Sequence, residues 1–171
     1  VDPLALNFTN SGTINVNAAA LATAATGAAS ASAIGYNGYA FGGGTETATI
    51  VNSGAMNVSA TAVAPGTANA FAQGIVLENA ATTTTTVAGT VVTTHTNAQP
   101  LEGSITNSGT LNVVALASGG GTFTTPTGTG TGAGTTTVIL SSAQATGIRV
   151  AGGVNNMTIT NSGAINVDAI T

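Results

Sequence analysis

Residues 158–169 read TITNSGAINVDA, and nearly the same line stands at three earlier places: FTNSGTINVNA from Phe8, IVNSGAMNVSA from Ile50 and ITNSGTLNVVA from Ile105. The Asn-Ser-Gly triplets begin at Asn10, Asn52, Asn107 and Asn161, at intervals of 42, 55 and 54 residues. After each triplet the chain alternates strictly: Ile14, Val16, Ala18, Ala20; Met56, Val58, Ala60, Ala62; Leu111, Val113, Ala115, Ala117; and Ile165, Val167, Ala169. A period of two places these residues on one face of a strand and Asn15, Asn57, Asn112 and Asn166 on the other. Repetition of this kind marks units that bury their apolar faces against one another.

The shared face shrinks from a large aliphatic through Val to Ala, as expected where a strand runs from a roomy region into a narrow one. If the four strands stack in register, branched residues pack on their equivalents in the next layer and Ala sits where walls approach closely, which is the core of a parallel β-solenoid. Energetics favour stacking. Burying a Val or Ile stabilises by roughly 1.5 to 3 kcal/mol and an Ala by much less, whereas ordering each residue costs about 1 to 2 kcal/mol of backbone entropy. A core of small residues therefore needs cooperative neighbours on both sides.

Alternating alanines recur at Ala68, Ala70, Ala72 and at Ala143, Ala145. Each run reaches a glycine, Gly74 or Gly147, across which the apolar phase shifts into Ile75-Val76-Leu77 or Ile148-Arg149-Val150. SAIGYNGYAF, residues 32–41, is a looser copy. A glycine corner between strand segments explains the shift, because a β-carbon would obstruct the turn. Each unit thus contains a second strand system, Ala-x-Ala-x-Gly-Ile, leading back to the next triplet. The triplet itself fits either a three-residue hairpin loop with Gly in the left-handed region or a corner whose asparagines stack and hydrogen-bond between layers. The corner is the favoured reading, since isolated hairpins have no reason to share an inside face.

The units leave room for two coils each or for one coil with projecting loops. Residues 80–100, AATTTTTVAGTVVTTHTNAQP, and 118–137, SGGGTFTTPTGTGTGAGTTT, are the candidate excursions; the first has Val and Thr enough for edge strands and the second is of low complexity. The alanine content of residues 18–34 also permits a helix, against which stand Gly27, the scattered Thr and the lack of charged partners. Neither end carries a charged or proline-rich cap, so the outer layers are expected to meet neighbouring coils of the same parent chain or identical subunits stacked end to end.

The chain of 171 residues is long enough for one domain with a core, and we assign 1–171 to a single domain. Charged residues make up 4%, against about a quarter in ordinary soluble domains, so hydroxyls and amides must supply solubility. Net charge is −4 with Arg149 the one basic side chain, which excludes a phosphate-neutralising nucleic-acid surface. The absence of Cys excludes disulfides, thiolate catalysis and Cys-ligated metals. No basic leader with an apolar stretch is present. Residues 18–44 lack charge, yet Asn37 and the Gly, Ser and Thr content break any apolar run of about 20 residues. A transmembrane barrel expects aromatic girdles, and the chain has no Trp and two Tyr.

These lines resemble the passenger repeats of bacterial autotransporters and related large repetitive surface adhesins, in which ITNSGTI-like and A-x-G-I lines alternate along a right-handed β-helix. The matching residues are Ile105 to Val113, Ile159 to Val167 and Ala143 to Ile148, with the other units following. The longer Thr-rich inserts and the lack of a C-terminal membrane barrel depart from that pattern. The resemblance implies export to a bacterial surface or the extracellular medium and a role as stalk, adhesin or fibre, with surface glycans or other cells as partners.

Parallel β-helices also include polysaccharide lyases and hydrolases, which need paired carboxylates or carboxylate-held calcium. Asp2, Glu46, Glu78, Glu102 and Asp168 are scattered, without D-x-D or an acidic cluster. His95, in VTTHTNA, reads as an exposed residue on a Thr-rich insert, and Arg149 as an outward side chain on a solvated face. FGGGT and SGGGT lack the Lys of a phosphate loop and read as turns. Asn7, Asn57 and Asn156 begin N-x-S/T sequons. The Thr runs invite an ice-binding reading, but they are broken by Gly and do not recur in each layer.

The expectation is therefore an all-β chain, a right-handed parallel β-solenoid with Thr/Gly-rich loop insertions. It serves a structural or adhesive role at a bacterial surface or outside the cell, with no catalytic, cofactor-binding or metal-ligating residue. The alternatives are a self-assembling extracellular filament subunit and, behind it, a carbohydrate-active β-helix enzyme.

Overall fold

The computed structural model describes residues 4–41, 44–87, 90–96, 99–119, 122–126, 134–138 and 141–171. The first repeat contributes β1 (Ala5–Asn10), β2 (Thr13–Leu21) and β3 (Ala29–Phe41), and the second β4 (Glu46–Asn52), β5 (Ala55–Ala64) and β6 (Ala68–Val87). β7 (Thr90–Thr96) then returns antiparallel along the end of β6. The third repeat contributes β8 (Leu101–Asn107), β9 (Thr110–Gly119), an antiparallel hairpin of β10 (Thr122–Pro126) and β11 (Gly134–Val138), and β12 (Ser142–Ala151). The last contributes β13 (Asn155–Asn161) and β14 (Ala164–Ile170).

Equivalent strands pair in parallel, giving three sheets in the orders β1-β4-β8-β13, β2-β5-β9-β14 and β12-β6-β3. Consecutive strands of one repeat lie in different sheets, so each repeat forms one layer and the next layer stacks on it. The two hairpins fall within the Thr-rich stretches expected as excursions, and they account for the longer second and third intervals. The chain thus makes one circuit per repeat, not two. No helix occurs among the described residues. The alanine-rich run 18–34 divides instead between β2 and β3, because its alternate alanines pair with those of the next layer, Ala18 with Ala60 and Ala31 with Ala70. That tertiary pairing outweighs alanine's helical propensity.

In the second sheet Ile14, Met56, Leu111 and Ile165 lie side by side across the four layers, followed by Val16, Val58, Val113 and Val167 and then by Ala18, Ala60, Ala115 and Ala169. Met56, Val58, Leu111 and Val113 are completely or almost completely buried. Like packs on like at the spacing of paired strands, about 4.8 Å.

The lead back to each triplet is a strand of its own, so a repeat holds three strands rather than two strand systems. Its inward residues Phe8, Ile50, Ile105 and Ile159 stack. Phe8 meets Tyr36 of β3 with ring centroids 4.4 Å apart and planes inclined at 32°, so the first layer closes with an aromatic pair where the second places Ile50 and Ile75.

The triplet is a corner, since the strands on either side of it belong to different sheets. Inside, Asn10 Nδ2 donates to Asn52 Oδ1 at 2.7 Å, Asn52 to Asn107 at 2.6 Å and Asn107 to Asn161 at 2.7 Å. Each amide also donates to the carbonyl of the strand starting in the next layer, at Ala55, Thr110 and Ala164. Backbone bonds repeat in step: Ser53 and Gly54 N–H donate to Asn10 O, Ser108 and Gly109 to Asn52 O, Ser162 and Gly163 to Asn107 O. A turn buried between layers is thereby satisfied at every polar group named.

A second ladder on the outer face runs the opposite way, with Asn57 donating to Asn15, Asn112 to Asn57 and Asn166 to Asn112 at 2.7 to 2.8 Å. Opposed donor directions let the two rows of amide dipoles offset each other.

Glycine in the triplet answers to close approach and not to a left-handed backbone. A β-carbon on Gly54 would strike Gly12 O, one on Gly109 would strike Gly54 O, and one on Gly163 would strike Gly109 O. Gly103 is the one described glycine with positive φ, at 127°. The phase-shifting glycines of the third sheet are likewise packed: a β-carbon on Gly35 would lie 2.7 Å from both Gly74 O and Met56 Sδ. The large residue that opens each triplet strand therefore fills the space a side chain would need at the kink.

Two outcomes follow for stability. Val58→Asp or Val113→Asp places an unpaired charge among completely apolar neighbours, and each should abolish the cooperative melt seen by circular dichroism. Gly109→Ala should unfold or strongly destabilise the chain, whereas Gly12→Ala, with nothing within 4 Å of the added carbon, should melt within a few degrees of the parent.

Candidate functional site

Charge is so scarce that nearly every ionisable group can be placed. Asp2 lies outside the described residues. His95 sits on β7 with its backbone opposite Thr82, and its side chain is likewise outside what is described. Glu102 and Asp168 are exposed. No group of three His, Cys, Asp or Glu side chains able to hold a metal ion occurs among the described residues.

Arg149 points outward, as the alternation after Gly147 requires, but it is not simply solvated. It forms an ion pair with Glu78 across the third sheet, where Arg149 lies opposite Val76 and Ala151 opposite Glu78. With the arginine side chain 42% exposed, such a pair contributes little to stability. The sequence shows no link between these residues, because 71 positions and two hairpins separate them; the shared register from Gly74 and Gly147 brings them together.

Glu46 is the buried exception. It starts β4, and alternation back from Asn52, Ile50 and Ala48 turns it inward. In the ladder it lies beside Leu101, it is 1% exposed, and neither carboxyl oxygen has a hydrogen-bond partner. Nearby backbone is tied down by Asn79, whose Nδ2 donates to Pro100 O at 2.8 Å and to Gly44 O at 3.2 Å, while Glu46 N–H also donates to Pro100 O at 3.1 Å. Burial pushes the Glu46 carboxyl up to about 7. The Tyr36 phenol is raised as well, first by burial and then by the charge of Glu46. Counting residues in twos back from Ile50 identifies this inward acid in the sequence, a signal overlooked when the acids are judged only by their scatter.

The carboxylate on the adjacent strand, Glu102, lies opposite Thr47 and is exposed, whereas Glu46 is buried beside Leu101. A cleft of about 740 Å³ runs beside β12, lined on the outer side by Phe71, Gln73, Glu78, Gln144, Thr146 and Arg149 and reaching Ala143, Ala145 and Ala169. Its one carboxylate, Glu78, is already engaged by Arg149.

Of the sequons, Asn57 is committed to the outer amide ladder, while Asn7 and Asn156 are exposed. The Thr-rich lines lie in the two antiparallel pairs, the end of β6 with β7 and β10 with β11, and not in the residues that pair layer on layer in the parallel ladders, so they form no array repeated layer by layer. No described helix is long and apolar enough to cross a membrane.

The buried acid sets a pH dependence. A carboxyl whose folded pKa stands above its unfolded value of 4.5 leaves stability intact below that value. Between about 4.5 and 7 the unfolded chain ionises first, so stability falls with rising pH and levels off above the folded pKa. The total loss is about 3 kcal/mol. Thermal melts from pH 4 to 8 should show this decline, and Glu46→Gln should flatten it.

The chain matches no protein-family model, and comparisons with curated proteins and with solved structures return no match.

Proposed function

We propose that the three parallel sheets form a right-handed parallel β-solenoid, and that this solenoid is a structural or adhesive segment of a bacterial cell-surface or extracellular protein, without catalysis. The observation that carries the reading is the register of the second sheet, in which equivalent residues of all four repeats lie opposite one another. Right-handedness is supported by the general preference of parallel crossover connections. The surface role draws on the likeness of the ITNSGTI and A-x-G-I lines to autotransporter passengers, and on a composition in which only 4% of residues are charged. An enzymatic reading gains no support from Glu46, Glu78 or Arg149, one a solitary buried acid and the others joined as an ion pair.

A second reading is a self-assembling filament, in which an identical subunit would cover the exposed inward residues Ile159 and Val167. Electron microscopy of the purified chain separates the two. Short isolated rods, together with retention of chain-coated beads on bacterial or host-cell surfaces, are expected for the adhesive segment; long fibres support the filament. Globular particles without retention would overturn both. His95→Ala should leave retention unchanged, and polysaccharide cleavage that is lost in that variant would revive the enzyme.

A further inference from the structure

We propose that Glu46 is a proton-operated latch on the corner between the third sheet and the first: the corner is closed while the carboxyl is neutral, and ionisation opens it locally without unfolding the stack. The latch lies in the second layer, which has a layer on either side of it, and the inference is independent of the surface role.

The position that opens β4 is leucine in both neighbouring layers. Leu101 lies beside Glu46 in the ladder, and Leu4 O accepts from Thr47 N–H at 2.9 Å, so Leu4 stands at the matching place in the first layer. Leucine at this place needs only apolar contact. Glu46 is as buried as Leu101, at 1% against 0% exposure, and neither of its oxygens has a partner. A carboxylate in that position needs donors or water, and water reaches it only if the first residues of β4 turn outward.

No cation faces the acid from the elements packed around it. β8 presents Leu101, with Glu102 exposed on the other side of the strand. β3 presents the Tyr36 phenol, which Glu46 disfavours from ionising; Tyr39 lies opposite Glu78 on the outer side. β6 presents the neutral Asn79, while Glu78 is turned to Arg149. Ionisation of Glu46 is therefore opposed by burial with nothing to offset it, and the upward push on its carboxyl to about 7 sets the change near neutral pH: closed below, open above.

This corner is the place where the layer gives way most easily. It is held by Asn79 Nδ2, donating to Pro100 O at 2.8 Å and Gly44 O at 3.2 Å, and by Glu46 N–H, donating to the same Pro100 O at 3.1 Å. At the Asn-Ser-Gly corner of the same layer, Asn52 is bonded to an asparagine on either side. Asn79 has Ala40 beside it in the first layer and gains no such support. The β6–β7 hairpin leaves and rejoins the frame here, since its pairing begins at Ala81 and ends at Thr96. Layered chains open in local units, and releasing residues 44–47 hydrates the carboxylate while leaving every pair of the second sheet in place.

The test is hydrogen exchange on the 171-residue chain at pH 5 and pH 8, each rate corrected for the intrinsic rate at that pH. Protection of the Glu46 and Thr47 amides should fall by about tenfold or more between the two, while that of residues 56–62 and 111–117 holds. Glu46→Leu, which repeats the residue of the adjoining layers, should keep the pH 5 protection at pH 8. Should that variant not fold, Glu46→Gln removes the same titration and should behave alike. Corner protection that does not change with pH, an equal loss across 56–62 and 111–117, or a pH dependence that persists in the substituted chain would each overturn the proposal.

Discussion

Equivalent residues of successive repeats are held one strand spacing apart, and the whole molecule depends on that constraint. A core built of Ala, Val and single larger aliphatics gains too little per residue to offset chain entropy in one layer. Parallel pairing multiplies it. The side chain at each inward position touches its own kind above and below, so shape matching is automatic and every ladder bond is reinforced by the packing beneath it. The residues that break this economy of shape are those where the layers come closest, and there glycine is imposed by the carbonyl of the neighbouring layer.

Polar groups are handled by the same device. A corner that turns the chain between sheets exposes backbone donors and acceptors, and burial of such groups without partners is costly. Asn10, Asn52, Asn107 and Asn161 resolve this by bonding to one another and to the next layer's carbonyls. Because each amide offers both a donor and an acceptor, one residue type can continue such a ladder indefinitely. A carboxylate cannot, and Glu46 shows the consequence: placed in an inward position with no donor facing it, it is driven toward its neutral form.

This architecture separates the frame from its variable parts. The two antiparallel hairpins enter at the junctions after the third sheet in one layer and after the second sheet in the next, and they lengthen the repeat without disturbing the register of the triplet strands. Loops added to such a frame leave it unstrained, which is why the repeat intervals differ while the ladders remain continuous.

Much of the frame was legible in the sequence. Alternation after each Asn-Ser-Gly identified the inward residues of the second sheet, the fourfold line implied stacking, and the Thr-rich inserts marked the excursions, because a period of two and a repeated triplet are local properties of the chain. The corner and its stacked asparagines also followed from the repeat. Tertiary structure alone decided that the lead back to each triplet is a separate third strand, that the alanine-rich run 18–34 divides between β2 and β3, and that Arg149 meets Glu78. Those outcomes depend on which strands lie opposite one another, a matter of register between residues tens of positions apart. The glycines make the same point: their spacing was visible, but the carbonyl that forbids a side chain at Gly54 or Gly109 belongs to another layer, and only the stacked chain brings it there.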